Sequence, residues 1–543
     1  MNLIRYINTL RYLRPVQVYG RLWSRFDPRK PDIHTGFVVS PRAGQWVPPV
    51  AHAASMLDAK TFRFLNVQGE AGSRRDWNDP GRDKLWLYNL HYFNDLNAAG
   101  AKERSQWHRA LIGRWVAENP PGTGNGWEPY PASLRVVNWI KWELAGNSLA
   151  PEWAQSLGIQ ARWLRRRIER HLPGNHLIAN AKALVLAGLF FEGEEASRWL
   201  EKGLSILGKE LPEQVLADGG HVERSPMYHA IVLEDVLDLL NAAGAWPGRV
   251  PDSRVSEWRG TASRMLSWLK GLSHPDGRIG FFNDAAFGIA ADHAVLEAYA
   301  KRLDVALRGG VRDPGMTHFP DSGYVRLSLG GAVALLDVAD VGPDYLPGHA
   351  HADTLSFELS LFGQRVVVNS GTSLYGSGRE RLRQRGTVSH STVQVDGEDS
   401  SEVWGGFRVA RRARPFGLEL GEADGFMTAA CSHDGYRRLA GRPAPTRSWR
   451  LGNNSLRVRD SIGGKFREAA ARYYFHPEVG VTIEGSGGLL RLREGRLARW
   501  SAAGGSARIV NSSWYPEFGL AIPNLCLEVL FDGPEAALEL AWD

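Results

Sequence analysis

Residues 312–323, RDPGMTHFPDSG, separate two different kinds of sequence. Upstream, between residues 85 and 305, apolar residues recur at helical spacing between Pro and Gly breaks. Leu233, Val236, Leu237 and Leu240 follow the i, i+3, i+4, i+7 pattern, which predicts one buried helix face. Met265, Trp268, Leu269 and Leu272 repeat it before SHPDGRIG stops that helix. NHLIANAKALVLAGLFF, residues 175–191, is small or apolar nearly all round, as an inner helix between neighbours must be. Successive helical hairpins over this length imply a bundle or a toroid of helix pairs.

Downstream come YVRLSL, AVALLDVAD, TLSFELSLFG, QRVVVNSG, STVQVDG, SLRVRDSI, LCLEVLF and ALELAWD, short β-rich runs separated by turn residues. Parallel strands need long crossovers, and none is present, so an antiparallel sandwich is expected. The boundary falls near residues 308–320, and the cleft between the two parts is the natural place for a site.

Composition narrows the function classes. At 543 residues the chain is too long for one ordinary core, and 43% hydrophobic with 23% charged residues is the balance of a folded globular protein. The 20 Trp and 15 Tyr supply planar faces that suit sugars as well as cores. A net charge of +6 favours an acidic partner, but the basic residues are dispersed and no nucleic-acid-binding motif is present. Cys431 and Cys526 are too few for a disulfide framework or a thiolate metal site. No uncharged apolar run is long enough to span a membrane. The first residues, MNLIRYINTLRYLRPVQVYGRLWSRF, carry scattered arginines and read as an amphipathic helical arm rather than a secretion signal. The expected compartment is the cytoplasm, and a mature periplasmic form would read the same way.

Four stretches concentrate reactive groups. In LPGNHLIAN, Asn175 and His176 stand at a helix start, where Asn175 by itself reads as a cap. In DGGHVERSPMYH, Ser225 and Pro226 open a helix and place Tyr228 and His229 in its first turn, where the positive dipole end favours an ionised phenol. In PGHAHADTLSFEL, an extended backbone would point His349, His351 and Asp353 to one side ahead of Leu355, Phe357 and Leu359. The polar end of that face suits a metal or a proton-transfer pair. In GTVSHSTVQVDG, His390 stands at the entry to a strand. Asn283 and Asp284 in FFNDAA read as loop ties, Asp396-Gly397 as a hairpin turn, and His221, His229, His433 and His476 as structural histidines.

In order along the chain, LWLYNLHYFNDL, GWEPYPASLRVVNWIKW, GNHLIANAKAL, DGGHVERSPMYH, HPDGRIGFFNDAA, GHAHADTLSFEL, SHSTVQVDG, HDGYRRLAGR and WYPEFG resemble the heparinase II/III family of polysaccharide lyases. After an N-terminal helical arm read over 1–80, the resemblance implies an incomplete α/α toroid (81–312) and a C-terminal antiparallel β-sandwich (313–543). It further implies β-elimination on an acidic, uronate-containing polysaccharide. In that chemistry a carboxylate is neutralised, the C5 proton is removed and the C4 oxygen leaves protonated.

Position by position, the resemblance makes Tyr228 the base, the acid or both, and His176 the partner base or carboxylate donor. Asn175 becomes the neutralising amide, and His349 completes the site from the sandwich. Arg135, Glu223 and Arg224 are further substrate-binding candidates, each with a plain reading as an exposed or ion-paired residue. His351 and His390 match zinc-ligand positions, and Asn369 stands where the family often has Asp. A neutral amide is a poor zinc ligand, so any zinc is expected to be structural; no organic cofactor is implied. Two other readings compete: a polysaccharide-binding or exopolysaccharide-assembly protein with this fold and little turnover, and a glycoside hydrolase. The hydrolase would need a carboxylate pair that the four stretches do not supply.

Overall fold

The computed structural model describes residues 3–26 and 30–543. Met1, Asn2 and residues 27–29 of the expected arm lie outside the described residues. The arm forms two helices, Leu3–Leu10 and Pro15–Phe26. It does not stay helical to residue 80. Pro31, Pro41, Pro48 and Pro49 remove the donors a helix needs. The chain instead runs irregularly over the helix ends, with Ser40 N bonded to Phe190 O and Gly44 N to Ala245 O, into a hairpin of Thr61–Phe64 and Val67–Glu70.

The helical body alternates inner and outer elements. Lys84–Tyr92, Pro129–Leu144, Asn175–Phe190 and Pro226–Ala245 pack on one another in sequence. Ser105–Glu118, Pro151–Arg166, Glu194–Gln214 and Asp252–Gly271 are the intervening return helices. In such hairpins every second helix runs the same way, so the four inner helices begin at one end of the toroid. Asn175–Phe190 is buried all round, as its composition requires. Pro226–Ala245 is also buried on nearly every face, not on one stripe, because it has helices on both flanks and the sandwich at its start.

After the last helix of this part, His293–Arg302, the strands begin at Gly315. They form antiparallel sheets of eight and nine strands. Each β-rich run quoted above contains a strand: for example, YVRLSL is Tyr324–Leu329 and LCLEVLF lies within Ile522–Phe531. Gly330 and Gly331, both at positive φ, make the two-residue turn between Tyr324–Leu329 and Ala332–Asp337. Asp396-Gly397 turns in the same way, with both residues at positive φ.

The nine-stranded sheet explains why several strands lack the expected polar–apolar alternation. Phe357–Leu361 and Gln364–Val368 are buried on both faces. One face joins the sandwich core with Phe357, Leu359 and Val367, while Val368, Tyr474 and Trp514 belong to the core of the toroid. The two parts thus share packed surface and not only a cleft.

Buried polar anchors fix the sandwich edge nearest the toroid. Arg447 on Ala444–Leu451 pairs with Asp460 on Ser455–Gly463 at 2.6 and 2.9 Å, and its remaining donors reach Leu355 O and Ser391 O. Both side chains are 1% exposed. Removing one partner strands a charge in the core, so Asp460→Ala is expected to lower stability by about 3–5 kcal/mol. Urea unfolding of the variant and parent measures this, and a loss below about 1 kcal/mol would contradict the assigned role.

Candidate active site

The inner helices all start at the toroid end that faces the sandwich, and each delivers ring or amide groups there. Tyr88 packs on Tyr92, Tyr92 on Tyr130, and Tyr130 stacks on His176 with ring centroids 4.1 Å apart. Asn175, in the first turn of its helix, does not act as a cap: its side chain donates to Glu223 Oε1 at 3.1 Å, and its backbone N–H bonds the same oxygen at 3.2 Å. The other Glu223 oxygen has no hydrogen-bond partner among the described residues and lies 3.6 Å from His349 Nε2. His349 in turn stacks on Tyr228 with centroids 3.9 Å apart, and the Tyr228 hydroxyl bonds that of Tyr375 at 2.6 Å. Tyr228 from the toroid and His349 and Tyr375 from the sandwich therefore touch, with Asn175 one residue further on through Glu223.

Ser225 caps the Tyr228 helix as expected, accepting from Tyr228 N at 3.2 Å, and its hydroxyl donates to Asp284 O at 2.5 Å. The dipole expectation for Tyr228 does not hold. Burial, together with Tyr375 and Asp284, raises its phenol well above the ordinary value, so it stands neutral. His176 moves the opposite way to a typical buried imidazole. Burial opposes its charge, but Glu169, 3.3 Å from Nδ1, raises its pKa above the ordinary value.

Asp284 is the residue whose role a loop-tie reading misses. Its carboxylate takes a two-pronged contact from Arg381, with Nη2 to Oδ2 at 2.7 Å, and is bonded by His349 Nδ1 at 2.8 Å and His351 Nε2 at 2.8 Å. Burial alone would raise this carboxyl, but Arg381 and the two histidines hold it well below the usual range. Asp284 is itself backbone-bonded to His349 O. Asn283 does tie a loop, bonding Arg224 O and His351 N. Residues 349–355 are turns and irregular chain, since the strand begins only at Phe357 and Leu355 has φ +62°. His349 and His351 therefore meet through Asp284, not through a shared strand face.

Two substrate-binding expectations are corrected. Arg135 is fully buried, stacked 3.8 Å from the Trp115 ring centre and bonded to Gln160, His91 O and Gly126 O, so it braces the toroid core. Arg224 has φ +56° and its guanidinium donates to Asp340 O, which makes it a strut between the toroid and the sandwich. Glu223 does stand in the constellation. Of the four histidines read as structural, His229 bonds Met265 O at 2.9 Å and stacks on Trp268, and burial drives its pKa down to about 3. Glu169, Tyr130, Tyr375 and Arg381 were missed. Tyr130 lay within the quoted GWEPYPASL, but a lone Tyr at a helix start carries no signal of its partner.

The metal-ligand reading also changes. Asn369 is unavailable, because its Nδ2 donates to Phe281 O and Ser356 Oγ while its Oδ1 accepts from Ser391 N. Asp353 takes its place: His351, Asp353 and His390 offer ligand atoms all within 4.8 Å of one another. Burial pushes both imidazoles below their ordinary value, which keeps them neutral as ligands, and it raises Asp353, a carboxyl that a cation would relieve. Two neutral imidazoles and one carboxylate are a donor set that suits zinc.

A family model described as heparinase II/III N-terminus matches residues 84–305, and one described as heparinase II/III-like, C-terminal, matches residues 311–542. A heparin-sulfate lyase of Bacteroides stercoris is 26% identical over 249 residues, 42% of this chain and only 37% of that protein. FtsZ-localized protein C of Caulobacter vibrioides is 25% identical over 493 residues, 84% of this chain and 79% of that protein. The crystal structure of heparinase III superposes with a TM-score of 0.67 at 18% identity, covering 88% of this chain and 79% of that one; this establishes the shared fold.

Asp284→Ala would leave Arg381 buried without its counter-charge and release both histidines. We expect a stability loss of about 3–5 kcal/mol in thermal or urea unfolding, larger than for Arg224→Ala. Equal losses would remove Asp284 from the centre of the site.

Proposed function

Because the chain belongs to the heparinase II/III family, we propose that it is a polysaccharide lyase, cleaving a uronic-acid-containing polysaccharide by β-elimination. The observation that carries this reading is the contact of Tyr228 with His349 and Tyr375 across the junction of the two parts, beside Asn175 and Glu223. The residues divide the chemistry by their electrostatics. His176, with Glu169 raising its pKa, serves as an imidazolium and joins the free N–H of Asn175 in offsetting the sugar carboxylate. His349 gives its Nδ1–H to the Asp284 carboxylate, which leaves a lone pair on Nε2 to take the C5 proton. Electrons from that C–H bond form the C4–C5 double bond as the C4–O bond breaks. Tyr228, held neutral, gives its proton to the leaving oxygen and recovers one through Tyr375. Tyr88 and Tyr130, packed tilted and edge-on against the buried Tyr92 between them, supply faces for neighbouring sugars.

His351, Asp353 and His390 would hold a zinc ion. When bound, that ion contributes a fixed positive charge that pins the loop carrying His349. The polymer itself, whether heparin-like, alginate-like or a bacterial exopolysaccharide, is set by the walls of the groove.

A second reading keeps the groove and drops the turnover: a polysaccharide-binding or exopolysaccharide-assembly protein. Its support is the similarity to FtsZ-localized protein C over 84% of this chain and 79% of that protein, a relative whose name denotes localisation.

The ultraviolet absorbance of the unsaturated product, followed over a panel of polyuronates, separates the two. Tyr228→Phe should lower kcat by about 10²–10⁴ while binding persists. Unchanged turnover would refute the assigned proton donor, and polymer binding without product on any substrate would favour the second reading. Glu169→Gln removes the group that raises the His176 pKa, so the alkaline limb of kcat/KM should move to lower pH. A limb that stays in place would detach His176 from substrate charge.

A further inference from the structure

The two helices of the arm are inside out. Toward the protein they present polar and ring groups: Trp404 Nε1 donates to Thr9 Oγ1 at 3.0 Å and Trp404 packs edge-on to Tyr6. The Arg412 guanidinium lies 3.9 Å from the Tyr12 ring centre, that of Arg14 3.5 Å from the Tyr345 ring centre, and Gln17 donates to Tyr345 O. Toward solvent they present Leu3, Ile4, Ile7 and Leu10 on the first helix and Val18, Tyr19 and Leu22 on the second, each more than half exposed. These seven are among seventeen strongly exposed large apolar side chains in the described residues, so the concentration is local and not a general property of the surface. A helix that docks through its polar side and exposes apolar residues at i, i+1, i+4 and i+7 has a second surface to meet.

Charge selects the kind of surface. From Met1 to Phe26 the sequence has Arg5, Arg11, Arg14, Arg21 and Arg25 and no acidic residue. Arg14 is engaged with Glu213, while Arg11 is exposed, with its guanidinium against the neighbouring Tyr12. A second copy of this arm would bring like charges together. A lipid surface with anionic headgroups takes apolar side chains below the headgroup plane and arginines at it. We propose that the arm, residues 3–22, lies flat in the surface of an anionic membrane as an interfacial anchor that does not span it. Among the described residues no helix is long and apolar enough to cross a membrane, which fits an in-plane arrangement.

The arm rests on Trp404, in the two-stranded hairpin Val403–Trp404 and Arg408–Val409. The turn of that hairpin carries Phe407, which packs on both His349 and Tyr375. Docking would therefore hold the groove at a fixed distance and orientation beside the lipid, where a membrane-associated polymer is met.

Co-sedimentation of the full chain with phosphatidylcholine vesicles, with and without phosphatidylglycerol, tests this. The parent should bind the anionic vesicles roughly tenfold or more tightly than the neutral ones, and added salt should weaken binding. Ile4→Glu/Ile7→Glu and Arg5→Glu/Arg11→Glu should each weaken it by a similar factor, with the parent melting temperature and parent activity on soluble polymer retained. No binding by the parent, or binding that both variants retain, would overturn the proposal. So would a parent dimer in solution that the first variant dissolves, since the apolar face would then be a contact between copies. Vesicle binding by a parent that shows no activity on any soluble polymer would count against the lyase reading and leave the anchor standing.

Discussion

A single buried carboxylate holds the site together. Asp284 stands on the loop between the helices Asp252–Gly271 and His293–Arg302, bonds Ser225 at the start of the Tyr228 helix through its carbonyl, and gathers Arg381, His349 and His351 on its side chain. A buried anion is tolerated only when its charge and lone pairs are met, and here one guanidinium and two imidazoles meet them. The same bonds fix the ring positions that chemistry needs. His349 is locked with one nitrogen toward Asp284 and the other toward Glu223, and its ring lies against Tyr228. Stability and catalytic geometry are thus one arrangement, and a substitution at Asp284 cannot disturb one without the other.

Around that anchor the toroid supplies direction. Because alternate helices run the same way, four inner helices open at one end and set Tyr88, Tyr130, Asn175, His176 and Tyr228 along a continuous rim. The sandwich supplies closure, bringing His349, Tyr375 and Phe407 from loops against that rim. Neither part carries a complete set. The shared packing of the nine-stranded sheet on the toroid core keeps the two halves in register.

Individual residues show which sequence signals were sufficient. Ser225-Pro226 named its own helix start, and the β-rich runs after Asp313-Pro314 named their strands, since caps and alternation are local chemistry. Arg135 and Asp284 misled in opposite directions. An arginine on a helix near reactive motifs reads as a ligand for an acidic sugar, yet Arg135 stacks on Trp115 and feeds backbone carbonyls in the core. An Asp after Asn in a loop reads as a turn residue, yet Asp284 is the hub. Asn369 sat in the position the family resemblance marks for a metal ligand, and Asp353, already visible in HAHAD, proved to be the one facing His351 and His390. In each case the deciding partner lies tens of residues away.

The amino-acid order by itself determined the helical half, the strand-rich half, the division between them near Pro314 and the family whose motifs run through both. Those properties rest on local periodicity, turn chemistry and short motifs, which need no knowledge of distant contacts. Only the tertiary structure decided which groups share a site, which phenol stays neutral, which imidazole is shifted toward its charged form, and which carboxylate stands with the two buried histidines. Those depend on burial and on charges brought close by folding, and no spacing along the chain records either one.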